Sequence, residues 1–212
     1  MRLYSYFRSS ASFRVRIALA LKGLPYDYVA VHLARNEQFG STYDAVAPSH
    51  LVPVLQDGDA VLGQSLAIIE FLDEKHPEPP LLPGDALARA RIRGIALEIA
   101  CEIHPLNNLR VLRYLVKEMK VGEDEKNRWY RHWVETGLES VERQLASSAA
   151  TGRFCHGDTP TLADCLLVPQ IFNAQRLDCR TEHVPTVMRV FEECMTLDAF
   201  SRSQPSAAPD AE

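Results

Sequence analysis

Apolar residues at Leu3, Tyr4, Tyr6 and Phe7 surround Ser5, and Ser9, Ser10 and Ser12 then precede apolar positions at Val15, Ala18, Leu19 and Leu21. The first run reads as a short strand, the serines as a turn with an N-cap, and the rest as a helix ending at Lys22-Gly23. After the Pro25 turn, residues 26–31 are rich in β-branched and aromatic types and predict a second strand. The order β-α-β implies a parallel pair. Residues 32–50 are polar and irregular, with a short helix predicted over 41–46. Leu51-Val52-Pro53-Val54-Leu55 holds a proline inside an apolar run. Either Pro53 simply opens a strand, or it is a cis-Pro that turns the preceding backbone toward an extended ligand; the residues alone favour the strand start. Asp57-Gly58-Asp59 signals a hairpin into a strand over 60–62, and Gln64-Ser65 precedes an apolar helix.

The pattern then changes. Four prolines within residues 76–84 stop any helix and stiffen a connector. Residues 86–119 carry helical periodicity with Pro105 in the interior, a position that kinks or breaks a helix, and 123–147 predict a second long helix. Thr161-Leu162-Ala163-Asp164 has the form of a capping box opening an apolar helix to about residue 175, which reads as structural. Val184-Pro185-Thr186 opens a last amphipathic helix to about residue 195. Residues 201–212, rich in Ser, Pro, Ala and acid, predict a disordered tail. The expected organisation is an α/β domain over 1–80, an all-helical domain over 86–200 and a tail over 201–212.

At 212 residues the chain is long enough for one large or two small cores. Its formal net charge of -5, without any Lys/Arg cluster interleaved with aromatics, argues against a nucleic-acid partner. No run reaches membrane-spanning length and the N-terminus lacks a signal-peptide pattern, so no membrane partner and a cytoplasmic location are expected. The five cysteines are odd in number and widely spaced, with no C-x-x-C pair, which points to neither a disulfide framework nor a zinc site. His104, three residues after Cys101, reads as incidental, and no metal is expected.

The candidate chemistry sits at helix starts. A helix N-terminus carries about half a positive charge and free N–H groups, so it stabilises a thiolate or carboxylate. Ser9, Ser10 and Ser12 therefore read either as the start of an active site or as plain caps, and Gln64-Ser65 marks a second anion site.

Three stretches carry a family likeness: residues 4–19, with Ser9-Ser10-Ala11-Ser12 followed by Arg14-Val15-Arg16-Ile17-Ala18-Leu19; Gln64-Ser65-Leu66-Ala67-Ile68-Ile69-Glu70; and Ala163-Asp164-Cys165-Leu166-Leu167-Val168-Pro169-Gln170. Together with the Val52-Pro53 pair, these resemble the zeta class of the glutathione S-transferase superfamily. The resemblance implies an α/β thioredoxin-like N-terminal domain, an all-α C-terminal domain, a homodimer and glutathione as cofactor. It places Ser9 and Ser10 as the catalytic hydroxyls at the glutathione sulfur, with Ala11 beside them. Val52 and the cis-Pro at Pro53 fall on the residues that pair with the cysteinyl part, Gln64 and Ser65 on the pair holding the γ-glutamyl end, and Gln38, His104 and Asn108 on further glutathione contacts. The class typically carries Cys where this chain has Ala11. The implied reaction is cis-to-trans isomerisation of a double bond conjugated to a carbonyl, from maleylpyruvate to fumarylpyruvate. Alternatives are the same chemistry on maleylacetoacetate, or a conjugating or dehalogenating transferase. Arg8, Arg110 and Arg176 are the candidates for the substrate's carboxylates, since a guanidinium binds a carboxylate at two points.

Overall fold

The computed structural model describes all 212 residues. The chain divides into two compact units, Met1–Leu81 together with Met195–Glu212, and Leu82–Cys194.

In the first unit, strands β1 (Arg2–Ser5), β2 (Asp27–Ala30), β3 (Val54–Asp57) and β4 (Ala60–Gly63) form one sheet in the order β2-β1-β3-β4. β1 pairs parallel with β2 and antiparallel with β3, and β3 pairs antiparallel with β4. The parallel pair requires a crossover, which helix α1 (Ser10–Leu21) provides. A single turn, α2 (Ser41–Asp44), interrupts the long connection to β3, and α3 (Ser65–Lys75) follows β4 and packs on α1. Leu3, Phe13, Ile17, Leu19, Leu55, Ile68, Ile69 and Leu72 are completely or almost completely buried and make this core. Each such side chain contributes about 1.5–3 kcal/mol of hydrophobic stabilisation. At the end of α1 the buried Lys22 sends its Nζ to Asp73 Oδ1 (2.8 Å), His76 O (2.7 Å) and Pro79 O (2.8 Å). Asp73 also accepts the Leu81 N–H at 2.7 Å, so the proline-rich segment is tied back to the unit it leaves.

The predicted disordered tail over 201–212 is a correction. The segment is folded: α9 (Asp198–Ser201) packs on α1, a 3₁₀ turn covers Pro205–Ala207, and Ala208 packs on the cluster containing Tyr6, Phe7, Val31 and Val52. Composition misleads here because the contacts that order the tail are supplied by residues far away in the chain, its polar ones by the first 35. Asp210 accepts hydrogen bonds from Phe7 N–H (3.2 Å) and Tyr28 O–H (2.5 Å), and Glu212 pairs with Arg35.

In the second unit, α4 (Ala86–Leu97) is capped by Asp85 and runs into a π-helical stretch (Glu98–Ile103) and then a 3₁₀ stretch (His104–Asn107) before α5 (Leu109–Lys117). The break expected at Pro105 takes this form: helical hydrogen bonding is relaxed before the proline and restarts after it. Trp129, on α6 (Glu123–Ala146), donates its indole N–H to Leu106 O at 2.8 Å and satisfies a carbonyl of the broken segment. α6 approaches that segment closely. A Cβ at Gly137 would lie 2.3 Å from Ile103 Cγ1, so only glycine fits there. Helix α7 (Leu162–Arg176) packs on α4, with Pro169 in its interior, and α8 (Pro185–Met195) begins where Glu142 accepts the N–H groups of Thr186 (3.1 Å) and Val187 (2.8 Å). No helix is long and apolar enough to cross a membrane.

Candidate active site

Ser9 is the N-cap of α1. Its backbone is extended (φ -72°, ψ 114°) and its Oγ accepts the Ser12 N–H at 3.2 Å. That bond uses the oxygen as acceptor, so the hydroxyl proton remains to be donated. Ser10 is buried at the first helical position, Ala11 is half-buried, and the first turn contains no acidic residue. The Ser12 hydroxyl is completely buried and has no partner. The helix tip thus presents N–H groups and a donor hydroxyl with no carboxylate of its own in that turn, an arrangement that favours an incoming anion.

The loop feeding this tip is held by Arg16. Its guanidinium, buried within α1, donates from Nη2 to Phe7 O (3.2 Å), from Nη1 to Ser5 Oγ (3.2 Å) and from Nε to Ser203 O (3.0 Å). Burial pushes its pKa below the usual arginine value, and the nearby Tyr28, Tyr26 and Asp210 oppose that shift. Neither Arg14 nor Arg16 stands out in the sequence reading as a site-building residue. The available signal is two arginines inside a helix otherwise apolar all round, where an unpartnered charge would be costly.

The Val52–Pro53 peptide bond is cis, and both residues are buried immediately before the ladder begins at Val54. Gln64, exposed, stands before α3 with φ 65° and ψ 117°, a conformation that non-glycine residues seldom adopt and that concentrates at ligand sites. Ser65 opens α3, buried, and accepts Arg14 Nη1 on its Oγ at 3.2 Å. Its own hydroxyl proton is then directed elsewhere, again at a helix N-terminus. Gln38 is buried with its amide Oε1 unpartnered, and its backbone carbonyl lies 2.9 Å from His50 Nδ1. These unspent groups suit a peptide-like ligand with carboxylates, amides and a thiol, so the residues present fit glutathione. Arg8 is exposed with its guanidinium 5.0 Å from the centre of the Phe7 ring.

The remaining sequence candidates lie in the second unit. Asn108 caps α5 by accepting the Arg110 N–H at 3.1 Å, and its Nδ2 lies 3.4 Å from His104 Nε2, so the break around Pro105 brings these two together. Asn107, between them, has both amide atoms buried without a partner and was not singled out by sequence. Arg110 is exposed in the first turn of α5. Arg176 is exposed at the last position of α7, with Tyr130 as a partner. Burial raises the Tyr130 pKa to about 12 against the opposing charge of Arg176.

Comparison with known proteins gives the chain its family. Residues 3–80 match the glutathione S-transferase N-terminal domain. A probable maleylacetoacetate isomerase from Vibrio cholerae is 46% identical over 211 residues, covering 99% of this chain and 97% of that one. A maleylpyruvate isomerase from Ralstonia is likewise 46% identical over 211 residues, covering all of both. Among solved structures, the holo form of a maleylpyruvate isomerase, described as a bacterial zeta-class glutathione S-transferase, superposes with a TM-score of 0.98 at 46% identity over the whole of both chains. The maleylacetoacetate isomerase of Anaeromyxobacter dehalogenans, solved with dicarboxyethyl glutathione and citrate in its active site, gives 0.88 at 45% identity, covering all of this chain and 93% of that one. With this degree of identity along its whole length, the chain belongs to the zeta-class glutathione S-transferases.

Proposed function

We propose that the protein is a glutathione-dependent isomerase converting maleylpyruvate to fumarylpyruvate. In this reading Ser9 is the donor that activates the thiol. The observation that carries the residue assignment is the start of α1, where the Ser9 oxygen is already committed to the Ser12 N–H and no acid occupies the first turn. Glutathione, when bound, supplies a thiolate that adds to the conjugated double bond, leaves a single bond free to rotate, and is expelled unchanged. The protein's own part is to favour the charged thiol and to hold the diacid.

Ser9 donates its hydroxyl proton toward the sulfur, and the α1 dipole adds to the same preference, with Ser10 and Ala11 lining the tip. A negatively charged sulfur is thereby available near neutral pH. Val52 and Pro53 present the backbone edge for the cysteinyl part, while Gln64 and Ser65 hold the γ-glutamyl end at the α3 N-terminus. Gln38, His104 and Asn108 make further contacts. Arg8, Arg110 and Arg176 are assigned to the substrate's carboxylates, and a guanidinium also stabilises charge developing on a carbonyl oxygen during addition. The diacid-bearing glutathione held by the Anaeromyxobacter relative supports a site that accepts a thiol and two carboxylates. Ala11 removes the protein thiol that the class typically carries, and none of the steps assigned to this chain needs one. The first unit, in this reading, is the glutathione-binding domain, expected over residues 1–80 and completed by Met195–Glu212, and the helical unit Leu82–Cys194, expected over 86–200, serves the substrate. The protein acts as a homodimer in the cytoplasm, and five free cysteines suit a reducing compartment.

Maleylacetoacetate is the second reading, favoured by the equal identity to relatives of both names. Steady-state rates on the two cis substrates with catalytic glutathione decide between them. Product should accumulate far beyond the glutathione supplied while the free thiol stays constant. Stoichiometric loss of thiol would turn the assignment to a conjugating transferase.

A further inference from the structure

The C-terminal segment reaches the loop that carries the proposed catalytic serine. Between β1 and α1, residues 6–8 lie outside the sheet ladder, and their backbone groups are held from two sides. Tyr6 O accepts the Ser9 N–H at 2.9 Å, and Phe7 O accepts Arg16 Nη2 at 3.2 Å. The Phe7 N–H donates to Asp210 Oδ2 at 3.2 Å, while the other Asp210 oxygen receives the Tyr28 hydroxyl of β2 at 2.5 Å. Arg16 also donates to Ser203 O, where the segment begins. Ala208 packs on the cluster that contains Tyr6 and Phe7. Asp210 therefore bridges β2 to the backbone two residues before Ser9.

We propose that Asp210 is a positioning residue for thiol activation: through the Phe7 N–H it holds the β1–α1 loop so that the Ser9 hydroxyl lies where the glutathione sulfur binds. The inference rests on the Ser9 assignment above. A donor at a reacting atom tolerates little displacement, and misplacement by about 1 Å from a remote change costs on the order of a hundredfold in rate. Asp210 needs no contact with ligand for this effect. Its carboxylate accepts one bond from the loop and one from β2, so its loss frees both.

The charged or titratable groups around the loop include Tyr6, Arg8, Arg16, Tyr26, Tyr28, His32, Arg35, Glu37, Asp210 and Glu212. Removing the Asp210 charge by itself lowers the pKa of a nearby thiol, since a negative neighbour disfavours thiolate. Loss of the Ser9 hydrogen bond raises it. The two effects have opposite signs, which separates positioning from simple electrostatics.

The test uses the full-length protein as wild type, Asp210→Ala, Asp210→Asn and Ser9→Ala. Thiolate absorbance of bound glutathione is followed against pH, alongside kcat, glutathione KM and the melting temperature. Asp210→Ala is expected to shift the thiolate profile to higher pH and to lower kcat about tenfold, with glutathione KM nearly unchanged. Asp210→Asn keeps a carbonyl acceptor and should recover most of kcat. If Asp210→Ala lowers only the melting temperature, or shifts the thiolate profile downward, the positioning role is overturned while the Ser9 assignment stands on its own variant. If Ser9→Ala leaves the profile where it was, the donor assignment fails and the inference fails with it.

Discussion

Helices α1 and α7 both begin at a hydroxyl residue, yet their first turns are finished in different ways. At α7, Thr161 and Asp164 form a reciprocal capping box whose carboxylate accepts Thr161 N–H (2.7 Å), Thr161 Oγ1 (2.8 Å) and the Cys155 N–H (2.8 Å). All of these groups are buried. Burial pushes the Asp164 pKa upward while the Cys155 and Thr161 donors pull it down, and burial, with the neighbouring carboxylate adding to it, raises the Cys155 thiol well above its ordinary value. At α1, Ser9 receives one N–H, the first turn has no acid, and the Ser12 hydroxyl is buried alone. A helix start that contains its own anion is a structural joint. One that lacks it retains a preference for an anion from outside.

The largest expected effect comes from removing the internal anion. Asp164→Ala leaves three buried donors without an acceptor, a loss of about 3–5 kcal/mol in stability, since a stranded buried donor costs about 1–3 kcal/mol and partial relaxation recovers some of the total. Urea denaturation measures it. A loss below about 1 kcal/mol would show that these donors find other partners and that the box is dispensable.

Much of this contrast is legible from the residues. Thr161-x-x-Asp164 before an apolar run announces its own satisfaction, because donor and acceptor lie three residues apart on one turn. The serines before α1 announce a helix start but leave cap and active site undecided, since the deciding feature is what is missing from the first turn. Pro105 forecasts a break, but neither its π-then-3₁₀ form nor the close approach of Gly137 on α6 to Ile103 is encoded by a local pattern. Pro53 read locally favours an ordinary strand start, whereas its bond is cis. The tail fails for the same reason: Asp210 meets Phe7 and Tyr28 across 203 and 182 residues of chain. Arg14 and Arg16 look like surface charges in a string, but α1 is buried on every face, and their role emerges only from that burial.

At the α1 start the corresponding deletion should act mainly on the reaction, with a stability cost of about 1 kcal/mol for the lost helix cap. Ser9→Ala removes a charge-assisted hydrogen bond worth about 1.5–3 kcal/mol, or on the order of 10- to 100-fold in kcat, with a smaller effect on glutathione affinity. If Ser10→Ala, and not Ser9→Ala, carries the loss, the two serines exchange roles.

The far end of α7 sharpens the same distinction within one helix, since its start is structural and its last residue, Arg176, is assigned to the substrate. Arg176→Met is expected to lower kcat/KM for the diacid by about tenfold, consistent with loss of one partly solvated carboxylate partner. Glutathione affinity, measured by calorimetry, should not change. Arg176→Lys recovers only part, because a point charge does not reproduce the planar two-point contact. A large loss of glutathione affinity in the Met variant would move Arg176 from the substrate to the cofactor.

The last pair, which includes the smallest effect, tests the comparison most directly, because the same chemical change should have opposite signs at the two helix starts. Thr161→Val keeps the side-chain shape but removes a hydroxyl that donates to the Asp164 carboxylate and accepts the Asp164 N–H, so stability should fall by about 1.5–3 kcal/mol, the worth of a hydrogen bond to a charged group. Ser12→Ala removes a buried hydroxyl that has no partner. Its desolvation is unreturned in the folded state, and alanine is also the better helix former by a few tenths of a kcal/mol, so stability should rise by up to about 1 kcal/mol. The Ser9 cap survives this change, since the bond it accepts comes from the backbone N–H of residue 12 and not from the side chain. Paired denaturation curves for the two variants, with turnover measured on the second, complete the test. A destabilised Ser12→Ala protein would mean that the hydroxyl is satisfied in the native state. A stable variant with lost turnover would place Ser12 in the reaction alongside Ser9 and widen the catalytic group to a third serine.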